Sequence, residues 1–307
     1  MKVIAMMPVY NEADIVEIIL EHLTSQGIQV VIVDSSTDGS YDICAKFLGK
    51  GVISLEFLAM ESFDYDFLLD RLYRKALEAG ADWVLLNNAD EYLESPYPGL
   101  TLKEAMELED SKGRNMIQFN NFEFLPTEKD EGSTEKDVRK RLKYYTWNDS
   151  LHFHGWKVYP GIVVTGTCGH YPVFPKNVKV KVARTKYVMR HYRLRSHQHG
   201  LRKVFDERLP RFSQEQREKG MLVQYDKFGR DKKYFVINSR NLNKYNDDGR
   251  WIKRKKFDFT WGHKPIPWAK PPAVSMRDRI ATLPFYKTAC RLFLFKQEPL
   301  PSEDQPA

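Results

Sequence analysis

The stretch Ala81-Asp-Trp-Val-Leu-Leu-Asn-Asn-Ala-Asp-Glu-Tyr-Leu93 decides the fold class. It is a short apolar run that stops abruptly at polar and carboxylate-bearing residues. A run of this length, apolar throughout, reads as a strand buried on both faces. Met6-Met-Pro-Val-Tyr-Asn-Glu12 repeats the design at the start of the chain. In an open α/β sheet, ligands bind in the crevice beyond the carboxyl ends of the strands. Carboxylates placed there cost desolvation energy unless a cation or a donor satisfies them. Asn88-Ala-Asp90 with Glu91 is therefore a candidate divalent-metal cluster rather than a solvated turn.

Working outward, residues 1–80 alternate between β and α patterns. Residues 2–7 are a β-run. Asn11 is placed to cap a helix, with Asp14 three residues on as an acidic partner for its first-turn donors. Ile15, Ile18, Ile19 and Leu23 follow at helical spacing, and Gly27 closes the helix. Residues 28–33 form a β-branched strand ending at Asp34. A helix is expected at 41–48, a strand at 52–57, and a helix at 64–79 with Phe67, Leu68, Leu72 and Ala76 on one face. Strand 83–86 delivers the Asn88–Asp90 cluster. Alternating strands and helices imply a parallel sheet with helices on both faces, an α/β nucleotide-binding domain.

After Leu93 the alternation stops. A helix at 102–108 leads to a strand at 115–124, then a charged, Gly-containing loop at 126–136. Strands are expected at 141–146, 152–158, 162–165, 178–182 and 186–192, and a helix at 196–218. From residue 227 the chain is basic and aromatic, and four prolines fall within 265–272. The organisation read from this is a nucleotide-binding half at 1–125, a smaller mixed acceptor-side half at 126–220, and a basic, aromatic C-terminal extension at 221–307.

The chain has 307 residues, 42% hydrophobic and 29% charged, enough for one large domain with an appendage. No run approaches the roughly 18–20 apolar residues of a membrane span. The first residues enter a strand without a basic segment or cleavage site, so no secretory leader is expected. Three widely spaced cysteines, Cys44, Cys168 and Cys290, argue for a reducing compartment and against a disulfide framework or a cysteine-based zinc site. The net charge of +7 is concentrated between Arg184 and Lys256 and ends in Arg250-Trp-Ile-Lys-Arg-Lys-Lys256. Such a field attracts anions, whether nucleotide phosphates, acidic lipid headgroups or nucleic acid. Carboxylates at strand ends disfavour nucleic acid, which they would repel, so no nucleic-acid partner is expected.

Pro8-Val-Tyr-Asn-Glu12, Val33-Asp-Ser-Ser-Thr-Asp-Gly-Ser40 and Asn88-Ala-Asp-Glu91 occur in this order, each at the end of a strand. Together they resemble the nucleotide-sugar-binding half of glycosyltransferase family 2, enzymes of the GT-A fold. The resemblance covers about the first 125 residues and resumes near His191. It implies an inverting hexosyltransferase of glycan or cell-surface polysaccharide synthesis that uses a UDP- or GDP-sugar, Mn²⁺ or Mg²⁺, and a glycan or lipid-linked acceptor. By the same resemblance, Pro8, Tyr10, Asn11 and Glu12 hold the nucleoside. Asp34 accepts a ring N–H of the base, Asp38 lies nearby, and Arg71 faces the nucleotide or the surface.

The family's Asp-x-Asp is here Asn88-Ala-Asp90, which lowers the charge available to a metal. Asp90 is the implied direct ligand, and His191 in Met189-Arg-His-Tyr-Arg-Leu-Arg-Ser196 is the implied second. Alternation would put His191, Arg193 and Arg195 on one strand face, with the two guanidiniums gripping the diphosphate. Asp149, His154 and Glu91 are candidate general bases. A silent homologue that only binds nucleotide or glycan is the alternative that Asn88 raises. Residues 277–297 interleave basic and aromatic side chains, the composition of a segment lying on anionic lipid or packing back on the domain. The expected location is cytoplasmic, with this segment on the inner face of the membrane in the first case.

Overall fold

The structure, a computed structural model, describes residues 1–164, 172–212, 214 and 235–256, with only the backbone of 149–151. Expectations for the 277–297 segment, the proline-rich 265–272 stretch, Cys168 and Cys290 lie outside the described residues. Among the described residues Cys44 is a buried free thiol, and no helix is long and apolar enough to cross a membrane.

Residues 1–94 form β1 (Val3–Val9), α1 (Val16–Ser25), β2 (Gln29–Asp34), α2 (Ser40–Ala45), β3 (Val52–Phe57), α3 (Tyr65–Glu78), β4 (Trp83–Leu86) and β5 (Glu91–Glu94). Then come α4 (Leu102–Ser111), β6 (Met116–Phe124), α5 (Val138–Arg141), β7 (Tyr144–Lys157), β8 (Tyr187–His191), α6 (His197–Leu201) and β9 (Asn243–Lys244). The strands join one mixed sheet in the order β3-β2-β1-β4-β7-β6-β8-β5, with β9 on β7. β3, β2, β1 and β4 are parallel, whereas β7 runs antiparallel to both β4 and β6. The α/β class expected from the sequence, with a parallel first half covered by helices on both faces, is the one observed.

Both faces of the parallel strands are covered, and strand alternation divides the core. Val3, Ala5, Met7 and Val9 of β1 pack with Val16, Ile19, Leu20 and Leu23 of α1 and with Leu102, Ala105 and Met106 of α4. Ile4 and Met6 point the other way, onto Leu68, Leu69, Leu72, Tyr73 and Ala76 of α3. Gly27 and Gly80 end α1 and α3 with φ of +73° and +74°, a left-handed conformation that glycine adopts without strain.

Several expectations are corrected. Asn11 does not cap α1: the helix begins at Val16, and Asn11 takes φ +55° to send its amide to another loop. Phe67 is exposed on α3, because the buried stripe of this helix runs through Leu68, Leu69, Leu72, Tyr73 and Ala76 and leaves position 67 beside it. One continuous strand, β7, replaces the expected pair at 141–146 and 152–158. The strands expected at 162–165 and 178–182 reduce to single bridges, Val163 with Val173 and Val182 with Met116. β5 has no counterpart among the expected strands; Glu91 and Leu93 are buried in alternation with half-buried Tyr92 and Glu94. Of the expected helix at 196–218, residues 213 and 215–218 lie outside the described residues, and the start holds as α6 for one turn. It widens to a π-helix over Arg202–Arg208 and tightens to a 3-10 turn at Leu209–Arg211. Pro210 accounts for the break, since it has no N–H for the helical ladder and its ring clashes with the preceding turn.

Candidate functional site

The topology locates the site. The chain leaves β1 on one side to build β2 and β3, then crosses through α3 to place β4 on the other side. The carboxyl ends of β1 and β4 therefore flank a topological switch point, where open α/β sheets bind ligands. Glu12 follows β1, and Asp90 follows β4.

The first two motifs are laced to each other. The Asn11 N–H donates to Ser36 Oγ at 2.9 Å, and Asn11 Oδ1 accepts the Thr37 N–H at 2.8 Å. The Glu12 N–H donates to Ser40 Oγ at 2.9 Å, and Asp38 Oδ2 accepts the Ala13 N–H at 3.1 Å. Asp34 is fully buried and accepts from the Ser36 N–H and hydroxyl at 2.8 and 3.0 Å. Burial raises its carboxyl above the ordinary range, and the Ser36 donors oppose that rise. Pro8 lies within β1, opposite Val33.

The third motif joins the first through a residue the sequence did not single out. Lys203 Nζ donates to Glu12 Oε1 at 2.7 Å and to Asp90 Oδ2 at 2.9 Å. Arg195, only 1% exposed, donates through Nη2 to Glu12 Oε2 at 2.7 Å and to Asp14 Oδ1 at 2.6 Å. His191 sits between Asp90, 3.4 Å from Nε2, and Glu123, 3.0 Å from Nδ1. Arg193 also reaches Glu123, at 2.8 Å. Burial works against a charged imidazole, yet the Glu123 and Asp90 carboxylates raise His191 to about 10. Burial likewise pushes Asp90 up, and Lys203 with His191 overcomes it, holding the carboxyl well below the usual range. Glu123 is held at about 2 against burial by Arg193 and His191.

The expected shared face of His191, Arg193 and Arg195 is only partly formed. β8 ends at His191, so alternation stops there; His191 and Arg193 meet Glu123, while Arg195 turns to Glu12 and Asp14. Arg71 is outside the cluster and pairs with Glu56 of β3. Tyr10 lies under two guanidiniums, Arg211 at 3.7 Å and Arg208 at 5.9 Å from the ring centroid. Of the candidate bases, Glu91 and His154 are buried against each other, Oε2 to Nδ1 at 3.3 Å. Asp149 lies on β7, its side chain outside the described residues.

A divalent ion on Asp90 and His191 does not fit this donor set. Asp90 Oδ2 already holds the Lys203 ammonium and Asp90 Oδ1 faces the His191 ring, whose other nitrogen is taken by Glu123. The Asn88 amide oxygen accepts the Tyr65 hydroxyl at 3.0 Å, and its NH₂ donates to Glu91 at 2.9 Å. Elsewhere among the described residues, Glu12, Asp14 and His199 bring one ligand atom each within 4.8 Å of one another, a spacing that could hold a metal ion. The Arg195 guanidinium already bridges the two carboxylates of that group.

Lys203, Glu123, Arg208 and Arg211 complete the cluster. Glu123 gave one signal, a carboxylate inside an otherwise apolar and amide-bearing strand. Lys203 had only its position four residues after His199, one helical turn on, within a stretch rich in arginines.

No family model matches the sequence, and no curated protein does. Among solved structures, Staphylococcus aureus TarS is similar at 14% identity over 67% of this chain, with a TM-score of 0.37. The chain spans 40% of the length of that TarS chain. Residues 1–349 of TarS in complex with UDP match at 14% identity, covering 75% of this chain and 73% of that one, with a TM-score of 0.37. Mannose-1-phosphate geranyltransferase from Thermus thermophilus matches at 12% identity over 48% of both chains, with a TM-score of 0.25.

Proposed function

We propose that the chain is a glycosyltransferase that moves a sugar from a UDP- or GDP-sugar to a hydroxyl of a glycan or lipid-linked acceptor, with inversion. One observation carries this reading. Glu12 and Asp90, from the ends of β1 and β4, meet across the switch point on the Lys203 ammonium in one buried ionic cluster, with the Asp34 loop laced alongside. In such a transfer the acceptor hydroxyl attacks the anomeric carbon and the nucleoside diphosphate departs. The charge that develops on the diphosphate is what preorganised buried cations stabilise. Lys203, Arg195, Arg208 and Arg211 lie around the loops that would hold the nucleotide. Asp34, at the end of β2, would accept the ring N–H of the base. Its two oxygens carry spare lone pairs beyond the two Ser36 bonds.

The acceptor proton must go to a base. Glu91 and His154 are buried and paired with each other, and Glu91 also accepts from Asn88. Asp149→Asn is therefore the substitution to examine for a loss of kcat with KM retained.

The reading is tested by thermal shift and by donor turnover. UDP or GDP should raise the melting temperature, as any ligand of the folded state does. The matching nucleotide sugar should release its diphosphate when an acceptor mixture is supplied. Asp34→Asn should weaken the preferred nucleotide by about 1–3 kcal/mol, the range for a hydrogen bond to a charged group. If no nucleoside diphosphate moves the melting temperature, with or without Mn²⁺, the crevice is not a nucleotide site. Binding without any turnover would favour the silent homologue.

A further inference from the structure

We propose that Lys203 is the resident cation of the crevice, standing where the family resemblance would put a divalent ion, so that the nucleoside diphosphate binds without metal. The proposal rests on the reading of the crevice as a nucleotide-diphosphate-sugar site and deepens it.

Position is the first argument. The Lys203 ammonium lies between the ends of β1 and β4, 2.7 Å from Glu12 Oε1 and 2.9 Å from Asp90 Oδ2. An ammonium carries three N–H donors. Two go to these carboxylates, and no described residue takes the third. A phosphoryl oxygen would complete the set. Lys203 is 1% exposed, whereas a lysine is almost never fully buried unless paired.

The segment around it is built to hold it there. Val204 is buried in a cluster with Leu125, Leu194, Phe212 and Phe235. Gly200 lets the backbone lie on Phe235, since a Cβ there would fall 2.3 Å from the ring. The π-helical turn carries Lys203 inward, and π segments of this kind concentrate at functional sites. Further along, Arg208 and Arg211 reach Tyr10, so the segment lays three cations over the first motif.

Charge balance is the second argument. Glu12, Asp14, Asp90 and Glu123 face Lys203, Arg195, His191 and Arg193, and each carboxylate already has a cationic partner. A divalent ion entering between Glu12 and Asp90 would meet an ammonium already in place. Magnesium also asks for near-octahedral oxygen ligands at about 2.0–2.1 Å, which carboxylates bound to lysine and histidine do not offer. A diphosphate brings the negative charge that Lys203, Arg208 and Arg211 leave room for.

Calorimetric titration of the full chain with UDP and with GDP, first in EDTA and then in Mn²⁺, tests the proposal. Wild type should bind one of the two in EDTA, and Mn²⁺ should change its Kd by less than about threefold. Lys203→Met should weaken binding in EDTA at least about tenfold. Mn²⁺ should then restore part of it, because Glu12 Oε1 and Asp90 Oδ2 lose the ammonium that held them. Wild-type binding that needs Mn²⁺ would overturn the Lys203 assignment and leave the nucleotide reading intact. So would a Lys203→Met protein that binds equally well in EDTA. If the variant does not fold, the wild-type comparison decides alone. No binding by either nucleotide in either condition overturns both the nucleotide reading and the assignment.

Discussion

Arg195→Met should lower the melting temperature by roughly 6–12 °C, given about 2–4 °C per kcal/mol for a domain of this size. Arg195 is among the largest fully buried side chains and makes bonds in three directions. Nε and Nη2 go to Asp14 at 2.8 and 2.6 Å, Nη2 also to Glu12 at 2.7 Å, and Nη1 to the Tyr192 carbonyl at 3.0 Å. Burial disfavours its charge, and Glu12 and Asp14 more than restore it, raising its pKa. Removing one partner of a buried ion pair costs about 3–5 kcal/mol, because the other charge is left without compensation. Here the cost falls at the lower end. Glu12 keeps Lys203, and the Asp14 side chain is 44% exposed and can be rehydrated. A loss of about 3 kcal/mol gives the stated drop. Out of a total stability of roughly 5–15 kcal/mol it is a large fraction. Thermal melts of wild type, Arg195→Met, Asp14→Asn and the double variant measure it. The double variant should be less destabilised than the sum of the two single ones. A single-variant drop under about 2 °C would mean that Arg195 contributes little to the lacing of the crevice.

The sequence carried the parallel half of the fold because its signals are local. β1, β2, β3 and β4 are mainly apolar or β-branched runs four to seven long, and β1, β2 and β4 end at a polar motif. Gly27 and Gly80 mark helix ends by conformation alone. The antiparallel half was less legible. β7 is paired to β4, β6 and β9, and only that pairing keeps the polar run Trp147-Asn-Asp-Ser within one strand. Its alternation is broken where the register with β6 shifts between Phe119 and Asn121.

The site divided in the same way. Its carboxylates announce themselves as charges that end apolar runs. Their partners do not, because a lysine that bridges Glu12 and Asp90 looks in sequence like any other cation of a basic segment. Asn11 shows how one residue can satisfy a local rule and serve another end. It has the chemistry of a helix cap, yet its amide oxygen binds Thr37, and a left-handed backbone takes it there.

Stability should fall steadily between pH 6.5 and about 10 in wild type and stay level in His191→Gln. His191 is buried between Asp90 and Glu123, and its pKa rises from the ordinary 6.5 to about 10. A histidine that gains affinity for its proton on folding stabilises the fold fully below 6.5, where both states are charged. Above 6.5 the unfolded chain releases the proton and the folded protein keeps it. The stability that its charge supplies is lost as pH climbs toward about 10. One proton of difference gives a slope of about 1.36 kcal/mol per pH unit, and the full window amounts to roughly 5 kcal/mol. Urea unfolding at about pH 6.5, 8 and 9.5 on both proteins isolates the histidine from other groups that titrate in alkali. The buried tyrosines stay out of the window, since burial raises Tyr187 and holds Tyr192 above it. The acidic side behaves oppositely. Asp90 and Glu123 have lowered pKa values, so what they contribute is present above the ordinary carboxylate range and lost as pH falls through their depressed values. Wild type should therefore be most stable close to pH 6.5: below it the unfolded chain takes up protons that buried His22 and His199, with their lowered pKa values, refuse, and above it the His191 contribution is lost. Equal slopes in the two proteins above about pH 6.5 would show that His191 is neutral in the folded state, and that Asp90 relies on Lys203 alone.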